Sequence, residues 1–179
     1  SFHNRLVIAA SDNLVVSLGG SHSVVVKKDG SVWATGDNSA GQLGDGTTTN
    51  RLSFVQVIGS GAKAVAAGQH HSMVMKTDGS LWATGRNTYG QLGDGTKTNR
   101  LTFAPVITSR VESLTAGRDH SMVVKTDGSA WATGRNPHGQ LGDGSAVSKR
   151  VFVKVASGVK VVVAGSFHSM MLKQDGSVW

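Results

Sequence analysis

The sequence predicts an all-β fold, a partial β-propeller of four-stranded antiparallel blades, and three observations carry that prediction. A motif recurs along the chain: His22-Ser23 returns as His71-Ser72, His120-Ser121 and His168-Ser169 at spacings of 49, 49 and 48 residues, with Trp33, Trp82, Trp131 and Trp179 keeping the same step. A fixed period in that range marks a solenoid, a propeller or an array. Gly accounts for 24 of the 179 residues and Pro for 2, the balance of a chain rich in tight turns. Finally, β-branched residues and Gly dominate the segments between the turns, which disfavours helix throughout.

Each unit supplies four strands. In the second, Ser72 to Lys76 and Ser80 to Thr84 flank Thr77-Asp78-Gly79, and Asp-Gly between apolar runs is a strong hairpin signal. Asp29-Gly30 and Asp127-Gly128 repeat it. A third strand precedes the landmark glycines Gly68, Gly117 and Gly165, over 62–67, 111–116 and 159–164; the fourth surrounds Phe54, Phe103 and Phe152, over 53–57, 102–106 and 151–155. Four short antiparallel strands make one propeller blade. Val24-Val25-Val26 and Val161-Val162-Val163 are continuous apolar runs, expected where neighbouring blades cover both faces of a sheet.

Residues 1–16 read as end strands of a preceding repeat, 17–65, 66–114 and 115–163 as complete repeats, and 164–179 as the start of another, about 3.65 repeats of 49 residues in all. A blade cannot bury its two faces alone. Further blades of a parent chain, a second copy, or closure of Arg5 to Ala9 onto the last hairpin are therefore expected; the last route makes a four-bladed ring, and a head-to-tail dimer makes an eight-bladed one.

Composition removes several functions. There are no Cys residues, which excludes disulfides, a thiolate nucleophile and Cys-ligated metals. No apolar run approaches the ~20 residues that cross a bilayer, and the opening Ser-Phe-His-Asn-Arg carries no secretory core, so no membrane role or targeting segment is expected. Neither Cys nor an Asn-x-Ser/Thr sequon occurs, which fits the cytoplasm or nucleus and equally a Cys-free secreted protein.

The string Gly68-Gln69-His70-His71-Ser72, then Asp78-Gly79-Ser80-Leu81-Trp82, then Gly85-Arg86-Asn87-Thr88-Tyr89-Gly90-Gln91-Leu92-Gly93-Asp94-Gly95 resembles the repeat of the regulator of chromosome condensation family, which includes the alpha-tubulin suppressor-like proteins. The resemblance implies a propeller, usually of seven blades, of which this chain spans roughly half. Members include an exchange factor for the small nuclear GTPase Ran that also binds chromatin, ubiquitin-ligase modules, an ultraviolet-B photoreceptor and a secreted β-lactamase inhibitor; what they share is a binding surface. The exchange factor works through an inserted wedge, for which these spacings leave no room. The photoreceptor relies on Trp at a dimer surface, whereas these Trp follow the hairpin turn, where the family places packing residues. The resemblance thus implies a non-catalytic protein-binding module. A guanine-nucleotide exchange or chromatin-associated regulator and a propeller-type enzyme inhibitor are the alternatives.

The residues that invite chemistry have structural explanations. His22, His71, His120 and His168 stand one per blade, spaced by about 10 Å or more, too far apart to share one metal at ~2.1 Å; a buried imidazole bonded to backbone is expected in each blade. His3, His70 and His138 fall outside the repeat and read as loop residues. The Gly-Gln-Leu-Gly-Asp-Gly segments lack the Gly-Lys-Ser/Thr sequel of a phosphate loop, and one carboxylate each (Asp45, Asp94, Asp143) is too few for calcium. No catalytic residue, cofactor or metal is expected. Lys27, Lys76, Lys125 and Lys173 hold one repeat position and Arg51, Arg100 and Lys149 another, within a formal charge of +7. Two rings of cations would attract an acidic protein, or nucleic acid and nucleosomes, unless the lysines merely balance the Asp two residues on.

Positions that change between otherwise alike repeats mark the expected partner surface: Arg86, Tyr89, Arg118, Asp119, Arg135, His138 and Phe167. Scaffold positions are held alike by the fold, and these loop positions are free to specialise. The isolated chain is expected not to persist as an open monomer. Sedimentation that shows an elongated, cooperatively folding monomer with no contact between its termini overturns that expectation.

Overall fold

The computed structural model describes residues 7–9, as backbone, and 14–179. The described residues form strands and turns with no helix. Leu14–Leu18 (β2), His22–Val26 (β3), Val32–Gly36 (β4) and Arg51–Ile58 (β5) make the first blade, with Val7–Ala9 (β1) added beside β2. Ala62–Ala67 (β6), His71–Lys76 (β7), Leu81–Gly85 (β8) and Arg100–Ile107 (β9) make the second; Val111–Ala116 (β10), His120–Lys125 (β11), Ala130–Gly134 (β12) and Lys149–Ala156 (β13) make the third. Val159–Ala164 (β14) and Ser169–Lys173 (β15) open a fourth. Every pairing is antiparallel. The four strands per unit fall where the sequence places them.

The Asp-Gly hairpins close in a three-residue form. Lys27 N–H donates to Ser31 O and Gly30 N–H to Lys27 O, both at 2.9 Å, with Gly30 at φ +76°. This is a type I turn followed by a left-handed residue, a conformation that Gly adopts at no steric cost. Asp29 Oδ1 accepts the Ser31 N–H at 2.9 Å and sets the turn.

Sheet faces meet in three apolar layers, one per joint between blades. The first holds Val24, Val26, Val32, Ala34, Leu43, Ala62, Val65, Ala67 and Val74; the second and third repeat it around Leu92 and Leu141. Leu43, Leu92 and Leu141 are wholly buried although they belong to loops. Each enters the joint because its Gly-Gln-Leu-Gly segment lies against the next blade: Gly46 N–H donates to Leu101 O and Gly95 N–H to Arg150 O, both at 2.8 Å. Phe103 lies on Gly44 and Phe152 on Gly93 so closely that a Cβ on either glycine would come within 2.5 Å of the ring. Only Gly permits that approach.

Two expectations change at the ends of the arc. The apolar residues of β7 and β11 are buried without a break, as two-sided covering requires, but β3 alternates and β14 leaves Val161 and Val163 exposed. These strands have a neighbouring blade on one side only among the described residues. Val7–Ala9 does not complete the last hairpin; it pairs with β2 in the register Val7↔Val16, Ile8↔Val15, Ala9↔Leu14. The edge of β2 is the nearest in sequence, and a short loop costs little entropy to close. Arg5 and Leu6 lie outside the described residues. The last hairpin keeps two strands and a bridge between Leu172 and Val178.

Leu92→Ala empties a joint and should cost about 2–5 kcal/mol of unfolding free energy, whereas Leu52→Ala, at a fully exposed site, should leave the urea midpoint unchanged. Equal midpoints for the two variants would refute the assignment of stability to the joints.

Candidate partner-binding face

In an antiparallel four-stranded blade, the first-to-second and third-to-fourth connections leave from the same end. The segments 19–21, 68–70, 117–119 and 165–168 therefore share one face with the long loops 37–50, 86–99 and 135–148, and the Asp-Gly hairpins occupy the other. Each long loop is built on an Asn. Asn38 accepts the Leu43 N–H at 3.0 Å and donates to Asp45 Oδ1 at 2.9 Å and to Thr47 O at 3.0 Å. Asn87 and Asn136 do the same in the following repeats. Asp45 then receives Thr47 N–H at 2.9 Å and Arg51 Nε at 2.6 Å. Burial alone would raise the Asp45 carboxyl, but the bonds from Thr47, Arg51 and Asn38 outweigh it and hold the group at about 2.

Three of the four repeated histidines bond across the joints, not to backbone as the sequence suggests, and the fourth, His168, is exposed instead of buried, since no further blade covers it among the described residues. His22 Nε2 lies 2.8 Å from Ser72 Oγ in the next blade, and Ser72 Oγ–H donates to the Gln42 carbonyl, back in the first, at 2.8 Å. His71, Ser121 and Gln91 repeat the relay, as do His120, Ser169 and Gln140. A hydroxyl has one proton to give, so each serine accepts from His Nε2–H, which fixes the tautomer. Nδ1 of His22, His71 and His120 has no hydrogen-bond partner. Burial is the main cause that lowers His22 to about 4, His71 to about 3 and His120 to about 4.

Both expected rings of cations are engaged. Arg51, Arg100 and Lys149 pair with Asp45, Asp94 and Asp143 at 2.6, 2.6 and 3.2 Å. The ammonium groups of Lys27, Lys76, Lys125 and Lys173 lie 3.8, 3.7, 4.1 and 4.1 Å from the ring centres of Trp33, Trp82, Trp131 and Trp179. The balancing of an Asp two residues on is a lesser effect: Asp29 is held low chiefly by its bonds from Ser31, with Lys27 a smaller contribution. Each indole N–H donates to the serine two residues before it, Trp33 to Ser31 at 3.0 Å for example. The serine relay and the lysine–indole stacks escaped sequence reasoning; the recurrence of Ser beside each His was their visible sign.

Six of the seven variable residues come together where the second, third and fourth units meet. The Arg118 guanidinium sits 5.1 Å from the Phe167 ring centre, and that of Arg135 sits 5.1 Å from Tyr89 and 5.8 Å from Phe167. His138 meets Phe167 edge-on at 5.7 Å. Asp119, buried beneath, lies 3.6 Å from Arg118 Nε and 3.9 Å from Arg135 Nη1. Arg86 stays apart, its Nε donating to Thr88 Oγ1 at 3.2 Å within its own loop. Of the irregular histidines, His70 approaches Asp37 at 3.6 Å, and His3 lies outside the described residues. Among the described residues no three His, Asp or Glu converge as metal ligands.

Two profiles of the Regulator of chromosome condensation (RCC1) repeat match the chain, one over 15–42, 62–91 and 111–140 and the other over 29–75, 78–124 and 127–172. The chain belongs to the RCC1-repeat family. No curated protein matches it by sequence. Among solved structures, these RCC1 repeats are similar to Prp20p from Saccharomyces cerevisiae, studied for its binding to Gsp1p and histones, with 20% identity and a TM-score of 0.79 over 87% of this chain and 42% of that one. Yeast RCC1 (Prp20) bound to Kap60 gives 23% identity and a TM-score of 0.81 over 94% and 43%. Human WBSCR16 gives 18% and 0.64 over 97% and 59%. The RCC1 repeats here span less than half the length of the Prp20 chains.

Below pH 6.5 the unfolded chain takes up protons that the buried histidines refuse, so stability should be level above about pH 7 and fall as the pH drops toward 4. The slope is about 1.4 kcal/mol per pH unit for each such ring. His71→Gln should be less stable at pH 7 and show a shallower fall. A urea midpoint that stays level from pH 7 to pH 4.5 would contradict buried, neutral imidazoles.

Proposed function

We propose that this RCC1-repeat arc is a non-catalytic interaction module whose partner protein binds the loop face at Tyr89, Arg118, Asp119, Arg135, His138 and Phe167. In this reading the units run 17–65, 66–114 and 115–163, with 164–179 opening another. The observation that carries it is a contrast within the repeats. The Asn-centred loops and the His-Ser relay recur almost atom for atom, while aromatic rings and guanidinium groups gather at one junction where the repeats differ. Aromatic and Arg residues on a rigid, water-excluding base are the usual carriers of binding energy.

The likeness to Prp20p, a structure described together with its binding to Gsp1p and histones, supports a second reading, an exchange-factor or chromatin-associated regulator. Against nucleic acid as the partner stands the pairing of Arg51, Arg100 and Lys149 with Asp45, Asp94 and Asp143, which offsets the charge of one cation ring that a phosphate backbone would need.

Tyr89→Ala, Arg118→Ala and Phe167→Ala should each weaken a partner captured by the wild-type chain by about tenfold or more, while Lys28→Ala on the opposite face keeps it. Retention of every partner by the three loop variants overturns the placement. Accelerated nucleotide release from a panel of small GTPases would favour the second reading instead.

A further inference from the structure

Arg118 and Arg135 are held in place without being satisfied. The ion pairs elsewhere on this face are close: Arg51 Nε and Arg100 Nε donate to Asp45 and Asp94 at 2.6 Å. Arg118 and Arg135 instead share the single carboxylate of Asp119 at 3.6 and 3.9 Å, and neither guanidinium makes a hydrogen bond among the described residues. Each guanidinium lies over an aromatic ring, Arg118 over Phe167 and Arg135 over Tyr89, both at 5.1 Å from the ring centre. The side chains are 40% and 28% exposed, against 7% for Asp119.

The first repeat shows what would satisfy such a place. There Asp37 occupies the position of Arg135, and its carboxylate accepts from Gln42 Nε2 at 2.5 Å and from Ser39 Oγ at 3.1 Å. In the third repeat the acid is replaced by Arg135, and the equivalent amide, Gln140 Nε2, is buried with no hydrogen-bond partner. In the second repeat, where Arg86 holds the position of Asp37, Gln91 Nε2 is left in the same condition. A buried donor without a partner and two guanidinium groups that make no hydrogen bond and share one carboxylate at 3.6 and 3.9 Å call for a further carboxylate. The other acids of the long loops, Asp94 and Asp143, are already tied to Arg100 and Lys149.

We propose that the junction formed by Arg118, Arg135, Gln140, Tyr89 and Phe167 binds an acidic peptide segment of a partner protein, an Asp or Glu side chain accepting from the two guanidinium groups. The proposal rests on the loop face being the partner site and adds the chemistry of what it takes. A planar carboxylate fits a guanidinium edge through two parallel bonds, which an ammonium cannot reproduce. The flanking rings cover the aliphatic stem of the incoming residue.

The test is fluorescence anisotropy on the whole chain with a labelled peptide of alternating Glu and Ser, its Gln-for-Glu counterpart and a labelled oligothymidylate of equal length, at physiological salt. The Glu peptide should bind more tightly than either control. The double variant Arg118→Lys/Arg135→Lys keeps the net charge and should still weaken it by about tenfold. Arg135→Asp, which installs the residue of the first repeat, should abolish it. Unchanged affinity in the lysine variant, equal binding of the Gln peptide, or tighter binding of the oligothymidylate overturns the proposal. If Tyr89→Ala and Phe167→Ala release a captured partner while the Glu peptide does not bind the wild type, the acidic chemistry is refuted and the loop-face reading stands.

Discussion

The joint between blades is the constraint on which everything else depends. A four-stranded sheet has two faces and no means of covering either by itself, so each blade is stable only through what its neighbour places against it. Here one blade contributes a loop leucine buried in the apolar layer and a glycine, and the next a phenylalanine laid on that glycine and a serine whose hydroxyl gathers a histidine from the preceding blade and hands its proton to a carbonyl of that same blade. The apolar part supplies most of the energy. The polar part fixes the distance and rotation at which one blade meets the next, because a relay with one proton per hydroxyl tolerates little displacement.

Much of this was legible in the residues. The period, the four strands and the hairpin turns follow from a recurring motif and from β-branched runs punctuated by Asp-Gly. Six of the seven variable loop residues also converge, because equal loops on equal blades stand side by side. The relay was not legible. His and Ser adjacent in sequence point to opposite faces of their strand, so the serine that meets a given histidine lies a whole repeat away, and only a three-dimensional joint reveals the pair. The role of the cations was hidden for a similar reason: Lys27 lies six residues from Trp33, yet the hairpin returns the indole beneath the ammonium. The sequence leaves the place of Val7–Ala9 open among three routes, because repeat logic can assign a strand to a blade it resembles, while the chain pairs it with the nearest open edge.

A net charge of +7 is a poor guide to where this molecule attracts anything. Seven of its 18 basic groups serve the scaffold, pinning loops through Asp45, Asp94 and Asp143 or covering indole faces. What distinguishes the loop face is a pair of guanidinium groups, Arg118 and Arg135, that lie over aromatic rings and share the one carboxylate of Asp119. In the proposed reading, function is set by departures from the repeat, and the departure that matters is the exchange of an acid, Asp37, for a base, Arg135, over an otherwise unchanged glutamine.

The glycine loop and the phenylalanine on which it rests are unlike surfaces, and the joint therefore has a direction. One side of every joint offers a loop, the other an outer strand such as β5, with Leu52 and Phe54 exposed on it. A two-fold axis would set strand against strand or loop against loop, so the ends of this arc are not self-complementary. Any addition through them is heterologous: it closes into a ring when the rotation per blade divides the circle, and otherwise continues as an open helix.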